Sequence, residues 1–240
     1  MRILVVNVNT TESMTSVIGE QARAAASPGT EIVAVTPRFG PASVESIFES
    51  HLAAVGVIDA VIRQPGEHDA VILAGFGELG REALQELLTV PVVDITEAAA
   101  HVACLLGRTY AVVTTEDRSV PAIEDRLILA GLRSRCVAIR ASRIAVLDLE
   151  NDLEATAESV ARVAEDAIRI DGAEVICLGC AGMAGLSERI SRRIGVPVVD
   201  GVAAAVRLAE SLDALGLRTS KIGFYAPSPE KEISGWPLDI

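Results

Sequence analysis

Two stretches of this chain are copies of one another, and that duplication constrains the fold more than any other feature. The segment D-A-V-I-L-A-G-F-G-E-L-G from Asp69 matches A-E-V-I-C-L-G-C-A-G-M-A-G from Ala173. Each is followed by an identical V-P-V-V-D, at Val90 to Asp94 and at Val196 to Asp200. An Ala-rich stretch comes next, E-A-A-A-H-V-A from Glu97 and V-A-A-A-V-R-L-A from Val202. The offset is 105 residues between Gly75 and Cys180 and 106 between Pro91 and Pro197. Any two strand–helix units look broadly alike, but an identical pentapeptide in register with a glycine-rich turn marks an internal repeat. A duplicated unit predicts two pseudo-symmetric α/β lobes with largely parallel sheets and a cleft between them. Residues 1–98 and 206–240 are assigned to the first lobe and 99–205 to the second, as approximate bounds.

The rest of the chain fits that frame. Apolar runs of strand length (Arg2 to Val6, Thr30 to Thr36, Asp69 to Ala74, Val90 to Val93) alternate with helical stretches (Glu12 to Ala26, Val44 to Gln64, Gly80 to Leu88, Thr96 to Leu106). The second half repeats the alternation. Its strands are Thr109 to Val113, Arg135 to Ile139, Val175 to Leu178 and Val196 to Val199. Its helices are Pro121 to Ala130, Glu154 to Ile170, Leu186 to Ile194 and Val202 to Leu215. Such alternation is the mark of α/β folds with a largely parallel sheet. Half of the residues are apolar but only 3% are aromatic, so Ala, Val, Ile and Leu fill the core, as in sheets buried on both faces. A net charge of −12 argues against nucleic acid and anionic membrane surfaces as partners. No run of 18 apolar residues is present, and Met1-Arg2 leads straight into the first strand, so a cytoplasmic protein is expected.

Open α/β sheets hold ligands outside the carboxyl ends of their strands. The loops expected there are Asn7 to Thr11 and Gly75 to Glu78 from one lobe, and Thr114 to Arg118 and Cys180 to Gly182 from the other. Cys180 follows a buried strand, is flanked by Gly179 and Gly182, and precedes an amphipathic stretch. Glycines let backbone approach a ligand closely, and N–H groups opening a helix favour an anion and a thiolate. A lowered Cys180 pKa is therefore expected. The alternative is a small buried hydrophobe. Cys177 and Cys180 form C-x-x-C, but Cys177 lies inside the strand and no second Cys or His pair completes a metal set. Neither a redox pair nor a metal site is expected from these cysteines.

Several motifs together carry a resemblance over essentially the whole chain. They are N-V-N-T at Asn7 to Thr10, G-P-A-S-V-E-S at Gly40 to Ser46, V-V-T-T at Val112 to Thr115, L-G-C-A-G-M at Leu178 to Met183, and T-S-K at Thr219 to Lys221, beside V-P-V-V-D. The chain resembles the aspartate/glutamate racemase superfamily, in its hydantoin and allantoin racemase branch. That resemblance implies a small-molecule substrate, cofactor-free chemistry at a carbon acidified by a neighbouring carbonyl, an active site in the interlobe cleft, and a homo-oligomer. It also implies two facing cysteines, one removing the proton as thiolate and the other returning it to the opposite face. Cys180 matches the second cysteine. The first is absent: where the branch carries a motif like A-C-F-G-D, this chain has A-G-F-G-E, with glycine at Gly75. A second departure is Val8, where the branch favours N-P-N-T.

The resemblance thus implies a racemase or epimerase of a hydantoin, allantoin or amino-acid-like substrate, with Cys180 serving one face. Glu78, three residues after Gly75, is the nearest titratable candidate for the other face, and His101 is a further one. A solvated carboxylate at a helix start is the alternative reading of Glu78. Arylmalonate decarboxylase, a distant relative, also keeps only the second cysteine, so a lyase using Cys180 alone is the competing activity, and a non-catalytic binding protein the third. Asn9, Gly75, Phe76, Gly77, Thr114, Thr115, Ala181 and Gly182 are the expected substrate cradle. Arg118 either pairs with a carboxylate or stays at the surface. The cleft is expected to keep the space that a first thiol would use.

Overall fold

The computed structural model describes residues 1–77, 79–229 and 231–232. The first half of the chain runs β1 (Arg2–Asn7), α1 (Glu12–Ala25), β2 (Glu31–Val35), α2 (Ile47–Arg63), β3 (Ala70–Ala74), α3 (Arg81–Leu87), β4 (Val92–Asp94) and α4 (Ile95–Leu106). The second runs β5 (Tyr110–Thr114), α5 (Val120–Leu129), β6 (Cys136–Ala141), α6 (Leu153–Asp171), β7 (Val175–Leu178), α7 (Ser187–Ile194), β8 (Val198–Val199) and α8 (Gly201–Ala214). Two four-stranded sheets result, ordered β2-β1-β3-β4 and β6-β5-β7-β8, with every pairing parallel. The two orders are the same, as the duplication requires.

Strand periodicity divides the apolar residues between three cores. Leu4 and Val6 point to an outer core under α2, while Ile3 and Val5 point inward. In β7, Ile176 and Leu178 face an outer core under α6, and Val175 and Cys177 face inward. The inward faces of both sheets share one core, and α4 and α8 fill it with Ala98, Ala99, Ala103, Ala205 and Ala209. The helices cross over: α4 rests on β7 of the second sheet, and α8 rests on β3 of the first. Their contact is close at its start, where a Cβ on Gly201 would lie 2.7 Å from the Ile95 carbonyl oxygen.

The repeated V-P-V-V-D is the device that launches these two helices. Asp94 Oδ1 accepts from Thr96 N and Glu97 N, both at 2.9 Å. Asp200 Oδ1 accepts from Val202 N at 2.8 Å and Ala203 N at 3.2 Å. Each pentapeptide is therefore a short strand plus a helix N-cap. The second carboxylate oxygens differ. Asp200 Oδ2 accepts from Gly185 N at 2.8 Å, whereas Asp94 Oδ2 stands 3.4 Å from the buried Arg126 guanidinium, which also binds Glu82 and Glu97.

Two sequence expectations shift. The helix read from Val44 starts at Ile47, because Ser46 and Glu49 form a capping box that turns the preceding residues out of the helix. The N–H groups beside Cys180 belong not to a helix start but to a single 3-10 turn, Ala181–Met183, which Gly185 at φ 85° separates from α7, the helix read from Leu186. No helix among the described residues is long and apolar enough to cross a membrane.

Asp200→Ala removes one cap and costs about 1–2 kcal/mol. Asp94→Ala removes the same cap and also takes a carboxylate from Arg126, whose side chain is 1% exposed, so its cost exceeds that of Asp200→Ala. Urea denaturation of the two variants checks this; equal midpoints would refute it.

Candidate active site

Four strand ends meet in one cavity of about 50 Å³: Asn7 to Asn9 after β1, Gly75 and Phe76 after β3, Thr114 and Thr115 at β5, and Gly179 to Ala181 after β7. Gly75 and Cys180 line the same space, one from each lobe. Asn7 holds its end of the floor. Its Nδ2 donates to Asn9 Oδ1 (2.9 Å), Thr15 Oγ1 (3.0 Å) and Thr11 O (3.2 Å). Asn9 Oδ1 also accepts from Thr11 N at 3.0 Å, so its oxygen is committed. Its Nδ2 meets the Met14 sulfur at 3.4 Å, a weak acceptor. The Asn9 amide is thus a donor with little to lose by turning to a ligand.

The paired threonines do different work. Thr114 Oγ1 donates to Gly179 O at 3.1 Å and so anchors the turn that carries Cys180. The Thr115 backbone carbonyl binds Arg143 N at 2.7 Å, while its buried side chain faces the cavity.

Cys180 is the one titratable side chain among the described residues lining the cavity. Burial pushes its thiol up to about 11; the N–H groups of Gly182 and Met183 pull the other way, and the charge of Glu45 adds to the rise. This corrects the expected lowering. The turn after Cys180 has three residues and no helix behind it, so no summed dipole offsets the loss of water. Cys136 is likewise pushed up to about 11 by burial, and burial in the shared core raises Cys177 well above the ordinary thiol value.

The space expected beside Gly75 is also corrected. A Cβ there would lie 2.1 Å from Leu79 Cδ1 and 2.5 and 2.8 Å from the two Val8 methyls. Both side chains are buried, so Val8 and Leu79 occupy the place of a first thiol. The backbone at Gly75 is not in the left-handed region. Packing, not φ, excludes a side chain here.

Of the residues singled out in the sequence, Asn9, Gly75, Phe76, Thr114, Thr115, Cys180 and Ala181 line the cavity. Gly77 does not: its N–H is held by Thr96 Oγ1 at 2.9 Å, and it lines an adjoining chamber of about 410 Å³ together with Arg118. Gly182 lies beside the sulfur, beneath Leu149 and Met14. His101 is exposed, with Nδ1 2.8 Å from Glu97 O, and stands outside the cavity. Glu78 lies outside the described residues. Sequence reasoning missed Met14, Ser119 and Val146, which carry no local signal, and the blocking roles of Val8 and Leu79. Among the described residues no group of three His, Cys, Asp or Glu is placed to hold a metal ion.

The chain is similar to known proteins of one family. The family model described as Asp/Glu/Hydantoin racemase matches residues 3–209. A hydantoin racemase of Pseudomonas sp. (strain NS671) is 40% identical over 236 residues, covering 98% of this chain and 95% of its own. The crystal structure of allantoin racemase from Pseudomonas fluorescens superposes with a TM-score of 0.96 at 65% identity, covering 98% of this chain and 100% of that one. Allantoin racemase from Klebsiella pneumoniae gives 0.93 at 42% identity, covering 98% and 96%. The chain belongs to the Asp/Glu/hydantoin racemase family and is an isomerase of the racemase type.

Proposed function

We propose that this racemase acts, without a cofactor, on a five-membered cyclic ureide of the hydantoin or allantoin kind, with Cys180 moving the proton on one face of the ring carbon beside the carbonyl. The observation that carries the reading is that Cys180 is the sole titratable side chain among the described cavity residues. The similarity to hydantoin and allantoin racemases supports the ring class.

In this mechanism the Cys180 thiolate takes the proton, and charge moves onto the carbonyl oxygen. Asn9 and Thr115 line the same cavity, and the Asn9 amide and Thr115 hydroxyl are the proposed donors to that oxygen. The thiol returns the proton. A thiol pushed up to about 11 is a stronger base when ionised and a ready donor when not, which suits a carbon acid that itself ionises with difficulty. Val8 and Leu79 close the opposite wall with apolar surface, so residue 75 offers no proton there. Return to the original face gives exchange with retention; inversion needs a second group. Glu78, in the loop after Gly75, is the proposed one.

These assignments separate in one experiment, following C5 deuterium exchange and loss of optical rotation together in D₂O. Cys180→Ser lowers both by about 10²–10⁴-fold. Glu78→Gln lowers racemisation more than exchange. Unchanged turnover in Cys180→Ser sinks the mechanism, and an unchanged ratio in Glu78→Gln removes Glu78.

The state of the thiol is open to direct measurement. Because its pKa is raised, the neutral thiol persists through neutral pH, and thiolate grows tenfold per pH unit until about 11. Iodoacetamide alkylation of Cys180 in the free protein follows that curve. A bend near the ordinary thiol value of about 8.5 would contradict it.

Gly75→Cys alone overpacks the wall and costs about 1–3 kcal/mol of stability without speeding racemisation. Adding Leu79→Ala frees the nearest clash and recovers stability relative to the single variant. Thermal melts of both proteins check the order; a single variant as stable as wild type would contradict it.

A further inference from the structure

The cavity is roofed by two segments, one from each lobe. Residues 36–46 follow β2 and residues 142–149 follow β6, the edge strands that hold equivalent places in the two sheets. Each segment is fastened to the floor of its own lobe. Pro41 O accepts from Thr10 N at 3.0 Å, and Ala42 O from Thr11 Oγ1 at 2.7 Å. On the other side Thr114 O accepts from Ser142 N at 2.8 Å, and Thr115 O from Arg143 N at 2.7 Å. Each segment delivers one valine to the cavity, Val44 and Val146.

The segments meet through one side chain. Glu45 Oε1 accepts from Val146 N at 3.1 Å, across 101 residues of sequence. Among the described residues it is the one hydrogen bond between the two segments. Its mount is firm: Glu49 Oε2 accepts from Glu45 N at 2.8 Å and Ser46 N at 2.9 Å, tying the residue to the first turn of α2. The segments themselves bend at unusual backbone. Gly40 has φ 128°, and Arg143, φ 59°, is the one non-glycine residue with positive φ among those described. Held strain of this kind persists where surrounding contacts fix it. The outer chamber of about 410 Å³ shares Val44, Phe76 and Ser119 with the inner cavity of about 50 Å³. Glu45 lines that outer chamber, and its bond to Val146 joins the two segments whose valines line the inner cavity with Cys180.

We infer that Glu45 is a positioning residue for the chemistry at Cys180: its carboxylate latches the two roof segments across the cleft and sets the size of molecule that reaches the thiol. The inference rests on the reading of Cys180 as the reacting group, but it concerns access to the sulfur and is tested without turnover. The negative charge of Glu45 also acts on the thiol, which places the carboxylate within electrostatic reach of it. Charge and latch therefore have to be separated.

Two thiol reagents of different size separate them: iodoacetamide, which is small, and N-phenylmaleimide, which is broad. Charge removal speeds both by one factor, whereas an opened roof favours the larger. Glu45→Ala loses latch and charge. Glu45→Gln loses the charge and keeps an oxygen acceptor. Val146→Pro loses the N–H donor and keeps the charge; Ala145 already has φ −60° and ψ 147°, which suits a residue before proline, and position 146 opens a 3-10 turn.

Glu45→Ala and Val146→Pro should raise the maleimide-to-iodoacetamide rate ratio at Cys180 about tenfold, the factor that corresponds to about 1.4 kcal/mol. Glu45→Gln should leave that ratio within about twofold of wild type. The buried Cys136 and Cys177 report the fold in every variant by staying unlabelled. An unchanged ratio in Glu45→Ala overturns the latch, as does a Glu45→Gln ratio equal to that of Glu45→Ala. Should Val146→Pro expose the buried cysteines, the two Glu45 variants decide alone. A protein that labels as expected yet exchanges no C5 proton keeps the latch and loses the proposed reaction.

Discussion

The crossing of α4 and α8 between the two sheets is the constraint from which the cleft follows. Each sheet must cover its inner face with something apolar, and each lobe lends its last helix to the other. The alanine faces of these helices let the sheets close on them from both sides. The two lobes therefore share one core, which fixes the strand ends of one lobe opposite those of the other. Asp94 and Asp200 set where the helices begin, and Gly201 lets them touch. Arg126 adds a second tie, from α5 to the end of β4 and the starts of α3 and α4. A fixed separation between lobes suits a site whose working groups come from both.

Electrostatics at the site are decided by competition between burial and a few N–H groups. A rise of the Cys180 thiol from 9.0 to about 11 disfavours the thiolate by on the order of 3 kcal/mol. A full helix N-terminus returns about 0.3–1 kcal/mol, up to ~2 in favourable geometry, and the single turn here has less to give. Desolvation wins. The neutral thiol is therefore favoured at this half-buried position.

Much of the architecture was readable because it is local or repeated. The alternation of apolar runs gave the strands, and V-P-V-V-D in register gave the duplication and the equivalence of the two sheets. The cavity floor was readable too, since strand ends are where such folds place ligands and the Asn, Thr, Gly and Cys residues sit there. What could not be read depends on contacts distant in sequence. Nothing near Cys180 announces that burial outweighs its N–H neighbours, and nothing near residues 44 or 146 says that the two valines line one cavity with it. The turn after Cys180 looked like a helix start because glycine and small residues serve both; Gly185 at positive φ decided between them. Glu45 sits in a motif noted for resemblance alone, and its partner lies in the other lobe.

The missing thiol is best understood as part of a group of changes rather than as one substitution. Set beside the motifs by which the chain resembles the hydantoin and allantoin branch, two positions far apart in the chain stand out, Val8 and Gly75. In the fold they are the same place: a Cβ on residue 75 would strike the Val8 methyls and the Leu79 side chain. β1 and β3 are neighbours, with Asn7 paired to Ala74, so residues 8 and 75 leave the sheet side by side. Valine fills what a side chain at 75 would otherwise need, and leucine completes the wall. The result is an apolar surface facing Cys180 across the cavity. Such a wall carries no titratable group, and Cys180 is the one titratable side chain among the described residues of the cavity.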